Sequence, residues 1–150
     1  MRTRYIALLG LLALSLAFAQ SKPDLTGSWK VDNSKSNFGA LPPPQSLVNK
    51  IDHKDPTLKI TSITVGDSGE RTFELAFTTD GKENTNSIGS IEIKSKVRWE
   101  GRDLLMEHTA GEVTLKDKWT LSEDGKTLTL VRQWSGSQGE TTQTLVSEKQ

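Results

Sequence analysis

The stretch VTLKDKWTLSEDGKTLTLVRQW, residues 113–134, reads as a single β-hairpin. Val113, Leu115, Asp117, Trp119 and Leu121 alternate with Thr114, Lys116, Lys118 and Thr120, the period of two that gives a strand one buried face. Leu128, Leu130, Arg132 and Trp134 alternate with Thr127, Thr129, Val131 and Gln133 in the same way. Between the two runs, Asp124-Gly125 tolerates the positive φ angles of a tight turn. With those residues at the turn, Leu121 faces Leu128, Trp119 faces Leu130 and Asp117 faces Arg132. The register sets a carboxylate beside a guanidinium on an otherwise apolar face. Any functional account has to explain that pair.

The flanking strands extend the same face. A loop at Glu100 to Asp103 sets Trp99 opposite Leu104, Val97 opposite Met106 and Ser95 opposite His108. A turn at Ala110-Gly111 sets His108 opposite Val113, Met106 opposite Leu115 and Leu104 opposite Asp117. A turn over Ser135 to Gly139 sets Trp134 opposite Thr141, Arg132 opposite Gln143 and Leu130 opposite Leu145. One row then runs Leu104, Asp117, Arg132, Gln143, and the next Val97, Met106, Leu115, Trp134, Thr141. Apolar residues meet apolar ones at nearly every step, and a one-residue slip would turn a whole strand's core face to water. Several inward positions are polar nonetheless: Ser95, His108, Asp117, Arg132, Gln143 and Ser147. An unpaired buried charge is very costly, so these groups must pair with one another, with water or with a ligand.

The remainder of the chain repeats the pattern. Leu25 to Asp32 is a first strand with Leu25, Gly27, Trp29 and Val31 on one side. Asn33 to Gln45 contains Pro42-Pro43-Pro44, which forbids helix and favours an extended segment, read here as a stiff loop over a barrel mouth. Ser46 to His53 is a second strand, and Lys54-Asp55-Pro56 turns it. In Thr57 to Val65 the apolar set changes phase near Thr61-Ser62, which suggests a bulge. Arg71 to Thr79 carries Phe73, Leu75 and Phe77 on one face, and Asp80-Gly81 is a second tight-turn signal. Glu83 to Gly89 is a weak, polar strand. The count is about ten short strands with turns roughly every 8–12 residues and no helical period. The fold expected is all-β, a single antiparallel up-and-down barrel whose closure removes exposed edges.

Arg2 and Arg4 precede the apolar run Ile6 to Phe18, and Ala17-Phe18-Ala19 fits a signal-peptide cleavage pattern. The expected organisation is a signal peptide over 1–19 and one barrel domain over 20–150. There is no cysteine, so disulfides and a lipidated mature N-terminal Cys are excluded. A periplasmic or secreted protein is expected. Cleavage removes Arg2 and Arg4 from the 19 basic residues, leaving 17 against 19 acidic ones, a net charge near −2. That balance gives no electrostatic case for nucleic acid or for an anionic membrane surface. The chain is only 33% hydrophobic, so the core is small or the interior partly wet.

Gly27-Ser28-Trp29 in the first strand, a ten-strand meander filling the mature chain, and the closing Val146-Ser147-Glu148-Lys149 resemble the calycins, the superfamily of fatty-acid-binding proteins and lipocalins. The resemblance implies that Trp29 plugs the closed end of the barrel and that the interior holds an apolar ligand such as a fatty acid or retinoid. Two features depart from that pattern. The positions of the last-strand Arg-x-Tyr pair that holds a ligand carboxylate in fatty-acid-binding proteins are Leu145 and Ser147 here. A short proline-rich segment replaces the helix-turn-helix lid. The chain also resembles bacterial lipocalin-like proteins of unassigned function.

The candidate ligand-binding residues are Arg132, Asp117, Gln143, His108, Trp134, Met106 and Trp99. Each has an alternative. Asp117 and Arg132 could orient a polar ligand head, or form a structural cross-strand pair with Gln143 satisfying the remaining donors. His108 could hold a metal or haem, but His53 is the only other histidine and sits at a distant turn, so a satisfied interior imidazole is the plainer reading and neither metal nor cofactor is expected. Trp99, Met106, Trp119 and Trp134 could line a pocket or fill a core. Lys94, Lys96 and Arg98 read as a solvated face. No Ser-His-Asp set follows from spacing, and no facing acid pair is evident, so an enzyme is not expected. The leading expectation is an exported, monomeric carrier of a small apolar or amphipathic ligand. The alternative is a barrel acting through its rim as an envelope interaction or inhibitor module.

Overall fold

The computed structural model describes residues 21–150, and the signal peptide expected over residues 1–19 lies outside them. The described residues form ten strands and no helix: β1 (Gly27–Val31), β2 (Ser46–Lys54), β3 (Thr57–Gly66), β4 (Gly69–Thr78), β5 (Asp80–Ile88), β6 (Ile91–Glu100), β7 (Asp103–Ala110), β8 (Val113–Leu121), β9 (Thr127–Gly136) and β10 (Gly139–Lys149). They make one antiparallel sheet in the order β4-β3-β2-β1-β10-β9-β8-β7-β6-β5. Chain neighbours pair throughout except β4 with β5, and β1 joins β10 to curl the sheet round. The result is a nearly closed up-and-down barrel.

Three registers follow the alternation as read: Asp117 opposite Arg132, Val97 opposite Met106 and Arg132 opposite Gln143. The β7–β8 register differs. Gly111 and Glu112, not Ala110 and Gly111, occupy the turn, with Gly111 at φ 60°, the left-handed angle that glycine accepts most readily. Leu104 therefore faces Trp119, Met106 faces Asp117 and His108 faces Leu115. Moving a two-residue turn by one position slides its strands by two, so every side chain keeps its face. The rows across the wall become Trp99-Leu104-Trp119-Leu130-Leu145, Val97-Met106-Asp117-Arg132-Gln143 and Ser95-His108-Leu115-Trp134-Thr141.

Two further expectations are corrected. β3 has no bulge: its pairing with β2 and β4 is unbroken. Ser62 keeps the inward phase, buried and donating to Asn49 Oδ1, while Ile63 and Val65 face outward. Asp80-Gly81 is not a hairpin turn. Thr79 leaves the β4 ladder, its N–H donating to Pro56 O at 2.8 Å and its hydroxyl to Asp55 Oδ1 at 2.6 Å. β5 starts at once with a register shift between Asp80 and Glu83, where Gly81 sits at φ 79°.

The barrel is packed at one end and hollow towards the other. Leu25, Trp29, Leu58, Leu104 and Leu128 fill the end where β2 turns into β3 and β8 into β9. Trp29 is fully buried, and its Nε1 donates to Leu25 O at 2.9 Å. The connection over 32–45 lies at the hollow end. Rather than covering the mouth, it runs along β10, bridged between Asn37 and Thr144. Gly39 approaches Thr141 and Thr142 so closely that a Cβ would lie 2.5 Å from the Thr141 hydroxyl, and its φ is 63°.

The β4–β5 gap is spanned by side chains acting as backbone. Asn86 Nδ2 donates to Ala76 O at 2.9 Å while its Oδ1 accepts from Ala76 N at 2.8 Å. Asn84 Oδ1 accepts from Thr78 N at 2.9 Å. A primary amide presents a donor and an acceptor together, as a facing peptide would, and so satisfies an edge that no strand covers. Asn86→Ala is expected to lower stability by about 1 kcal/mol in urea unfolding. Hydrogen exchange of the Ala76 amide should accelerate while that of Thr78 stays protected; an unchanged Ala76 rate would contradict this seam.

Candidate functional site

Inside the hollow half lies a cavity of about 300 Å³. One wall comes from β2 to β4, with Ile60, Phe73, Leu75 and Phe77 inward on alternate positions and Asn49, Ser62 and Thr64 as its polar members. The opposite wall comes from β7 to β9 and carries the hairpin's inward residues, Leu115, Asp117, Trp119, Leu130 and Arg132. Met106 and His108 belong to this wall as well.

At its centre is a linked set of polar groups. Arg132 donates from Nε to Asp117 Oδ1 at 2.8 Å and from Nη2 to Asp117 Oδ2 at 2.6 Å, a two-pronged ion pair. His108 Nε2 lies 3.6 Å from Asp117 Oδ2, and His108 Nδ1 is 2.7 Å from Ser95 Oγ. Asp117 is buried, with 1% of its side chain exposed against 30% for Arg132. Burial pushes the Asp117 carboxyl up, but the two hydrogen bonds from Arg132, with the His108 imidazole close by, outweigh it and hold the group below the usual carboxylate range. Burial likewise opposes the charge on Arg132, and Asp117 overrides it.

Four of the seven residues singled out in the sequence, Asp117, Arg132, His108 and Met106, converge on the cavity. The other three do not line it. Gln143 does not satisfy the spare donors of Arg132; its Nε2 donates to Phe38 O at 3.0 Å and fastens the 32–45 connection to β10. Trp99 sits towards the packed end, its Nε1 donating to Asp55 Oδ1 at 2.8 Å and its ring 5.7 Å from that of His53. His53 is itself buried there and accepts from Leu25 N, not placed on an exposed turn. Trp134 lies in the row of Leu115 but outside the cavity lining, its Nε1 buried without a protein partner.

The structure also assembles what spacing did not suggest, a Ser95–His108–Asp117 sequence of contacts. It lacks the access a nucleophile needs. Ser95 is 1% exposed and does not line the cavity, and Asp117 is committed to Arg132 on both oxygens. The β2–β4 wall carried a readable signal in Phe73, Leu75 and Phe77, whereas the inward Asn49–Ser62 pair was hidden by its polarity.

Neither a protein-family model nor a curated protein matches the chain. Solved structures do match over most of its length. Zebrafish ileal bile acid-binding protein, complexed with cholic acid, aligns at 18% identity and a TM-score of 0.60, covering 84% of this chain and 98% of that one. Secretory abundant heat soluble protein 4 from Ramazzottius varieornatus aligns at 16% identity and a TM-score of 0.64, covering 87% and 97%. Fatty-acid-binding protein 1 from Echinococcus granulosus aligns at 14% identity and a TM-score of 0.59, covering 83% and 96%. At these identities the likeness is one of fold. The chain shares the up-and-down β-barrel architecture of these proteins.

Asp117→Asn leaves a guanidinium without its counter-charge and is expected to cost on the order of 3 kcal/mol in urea unfolding at pH 7, the lower end for a buried pair because Arg132 is partly exposed. Adding Arg132→Gln should recover more than half of that loss; equal instability of single and double variants would contradict the pairing. Because the folded pKa of Asp117 lies below its unfolded value, the pair stabilises fully above about pH 4 and fades as pH falls through the folded value. The double variant should lose stability less steeply than wild type under acidification, and parallel pH profiles would count against it.

Proposed function

We propose that the protein is an exported carrier that encloses a small, mostly apolar ligand in the barrel interior without covalent chemistry. The observation that carries this reading is the cavity, about 300 Å³, apolar over most of its wall, with His108, Asp117 and Arg132 as polar groups on one side and Asn49, Ser62 and Thr64 on the other. That volume falls at the low end of ligand sites, which run from about 300 to 1,000 Å³. It would hold about ten waters at roughly 30 Å³ each, a poor fate for walls made of Phe73, Leu75, Phe77 and Trp119. The bile acid and fatty-acid-binding barrels that share the fold support a ligand of this general kind. Export is part of the proposal and rests on the sequence of residues 1–19, and the carrier is taken to act as a monomer.

A second reading places activity on the rim. Leu41 and Ile91, at 46% and 56% exposed, stand at the hollow end, Leu41 beside the three prolines. That reading calls for an interior filled by side chains, and the cavity favours the carrier.

Purified protein exposed to a lipid extract and examined by native mass spectrometry is expected to retain a stoichiometric small-molecule adduct. Leu115→Trp, which projects a larger ring into the cavity, should abolish the adduct while the strand signal in circular dichroism persists. No adduct on the wild-type protein, or equal retention by the variant, would contradict an interior site.

A further inference from the structure

Building on the carrier reading, we propose that the polar head of the ligand is an uncharged hydrogen-bond acceptor, such as an alcohol, ester, ketone or amide, and that Asp117 sets this preference by neutralising Arg132.

The charges around the cavity make the case. Among its lining residues, Arg132 and Asp117 are the acidic or basic side chains other than the imidazole of His108. They sit in a two-pronged contact, so the wall presents no net charge from this pair. A carboxylate brought to the exposed side of the guanidinium would leave water for a mostly apolar chamber. There it would meet an attraction from Arg132 largely offset by repulsion from Asp117 a few ångströms behind. The desolvation cost would remain, while the Coulombic gain that normally offsets it would already be spent inside the protein.

An uncharged head meets a different balance. Arg132 Nε and one N–H of Nη2 are taken by Asp117, while Nη1 has no protein partner among the described residues. The Arg132 side chain is 30% exposed and lines the cavity, so a hydrogen-bond donor is on offer. Asp117 also lines the cavity, but its side chain is 1% exposed and both its oxygens accept from Arg132, so at this pair the wall offers a donor rather than an exposed acceptor charge. A hydroxyl or carbonyl oxygen can accept from the guanidinium at little desolvation cost. The last strand, β10, gives Leu145 to the lining and neither a lysine nor an arginine. No second cation from β10 is available to tip the balance back.

The test is a matched series with one apolar chain and three heads: 1-decanol, methyl decanoate and decanoate. Binding is measured by calorimetry and by intrinsic tryptophan fluorescence, Trp119 being the tryptophan that lines the cavity, at pH 8, above the ordinary range of histidine side chains. The alcohol and the ester are expected to bind about tenfold or more tightly than the anion, the direction set by the uncompensated desolvation of the carboxylate. Decanoate binding as tightly as decanol would overturn the inference and leave the carrier reading intact. Failure of all three to bind would overturn both. Asp117→Asn, if it folds, strips the opposing negative charge at constant shape, and decanoate affinity should rise to meet or pass that of decanol. No rise would overturn the role given to Asp117. Where that variant does not fold, the wild-type ranking alone decides.

Discussion

Two charged side chains cannot face into a small barrel unless they face each other. The contact between Asp117 and Arg132 meets that condition with two short, parallel hydrogen bonds between adjacent strands. It ties the β8–β9 register to electrostatics as well as to apolar matching, because sliding either strand would leave a charge in the interior without a partner. It also sets the character of the chamber. A wall holding a lone arginine would attract anions, whereas this wall holds a neutralised one, with His108 and Ser95 continuing the polar contacts away from the cavity.

The rest of the molecule divides its work along the barrel axis. A chain that is 33% hydrophobic lacks the side chains to fill a ten-stranded barrel from end to end. It concentrates them instead. Leu25, Trp29, Leu58, Leu104 and Leu128 make a solid floor, with the buried contact of His53 with Leu25 beside it and the more exposed contacts of Asp55 with Thr79 and Trp99 at its edge. Above that floor the inward positions are spaced around an opening. Where the sheet fails to close on itself, Asn84 and Asn86 supply amides in place of a ladder, keeping the β4 edge occupied without another strand. The proline-bearing connection is fastened sideways to β10 through Asn37, Gly39 and Gln143, which leaves it out of the cavity wall.

Much of this was legible in the order of residues, and the failures have physical causes. The hairpin over 113–134 was readable because its alternation is clean and one turn matches both strands. The same held for the pairs joining Val97 to Met106 and Arg132 to Gln143. The β7–β8 register was not, since alternation is blind to a slide of two residues; only the preference of Gly111 for a left-handed turn position separates the two solutions. In β3 the inward pair Asn49–Ser62 disguised a regular strand as a bulged one, because hydrophobicity was the only ruler applied. Asp80-Gly81 has the composition of a hairpin turn, yet the bonds of Thr79 to Pro56 and Asp55 carry the chain away from β4 instead. The site was half readable. Asp117, Arg132, His108 and Met106 share one region because inward alternation put them there. Trp99 and Trp134 share the inward phase and even the rows of lining residues, yet neither side chain lines the cavity, a distinction that period-two patterning does not supply.

The central claim is that an inward, mutually neutralised Asp117–Arg132 pair forms one wall of an open chamber. A high-resolution crystal structure of residues 20–150, solved with a bound decanol, tests it most directly. The account requires both oxygens of Asp117 held by Arg132, the decanol oxygen within hydrogen-bond reach of that guanidinium, and the alkyl chain against Phe73, Leu75 and Phe77. Arg132 swung outward to solvent, or side chains closing the space between β4 and β8, would contradict it.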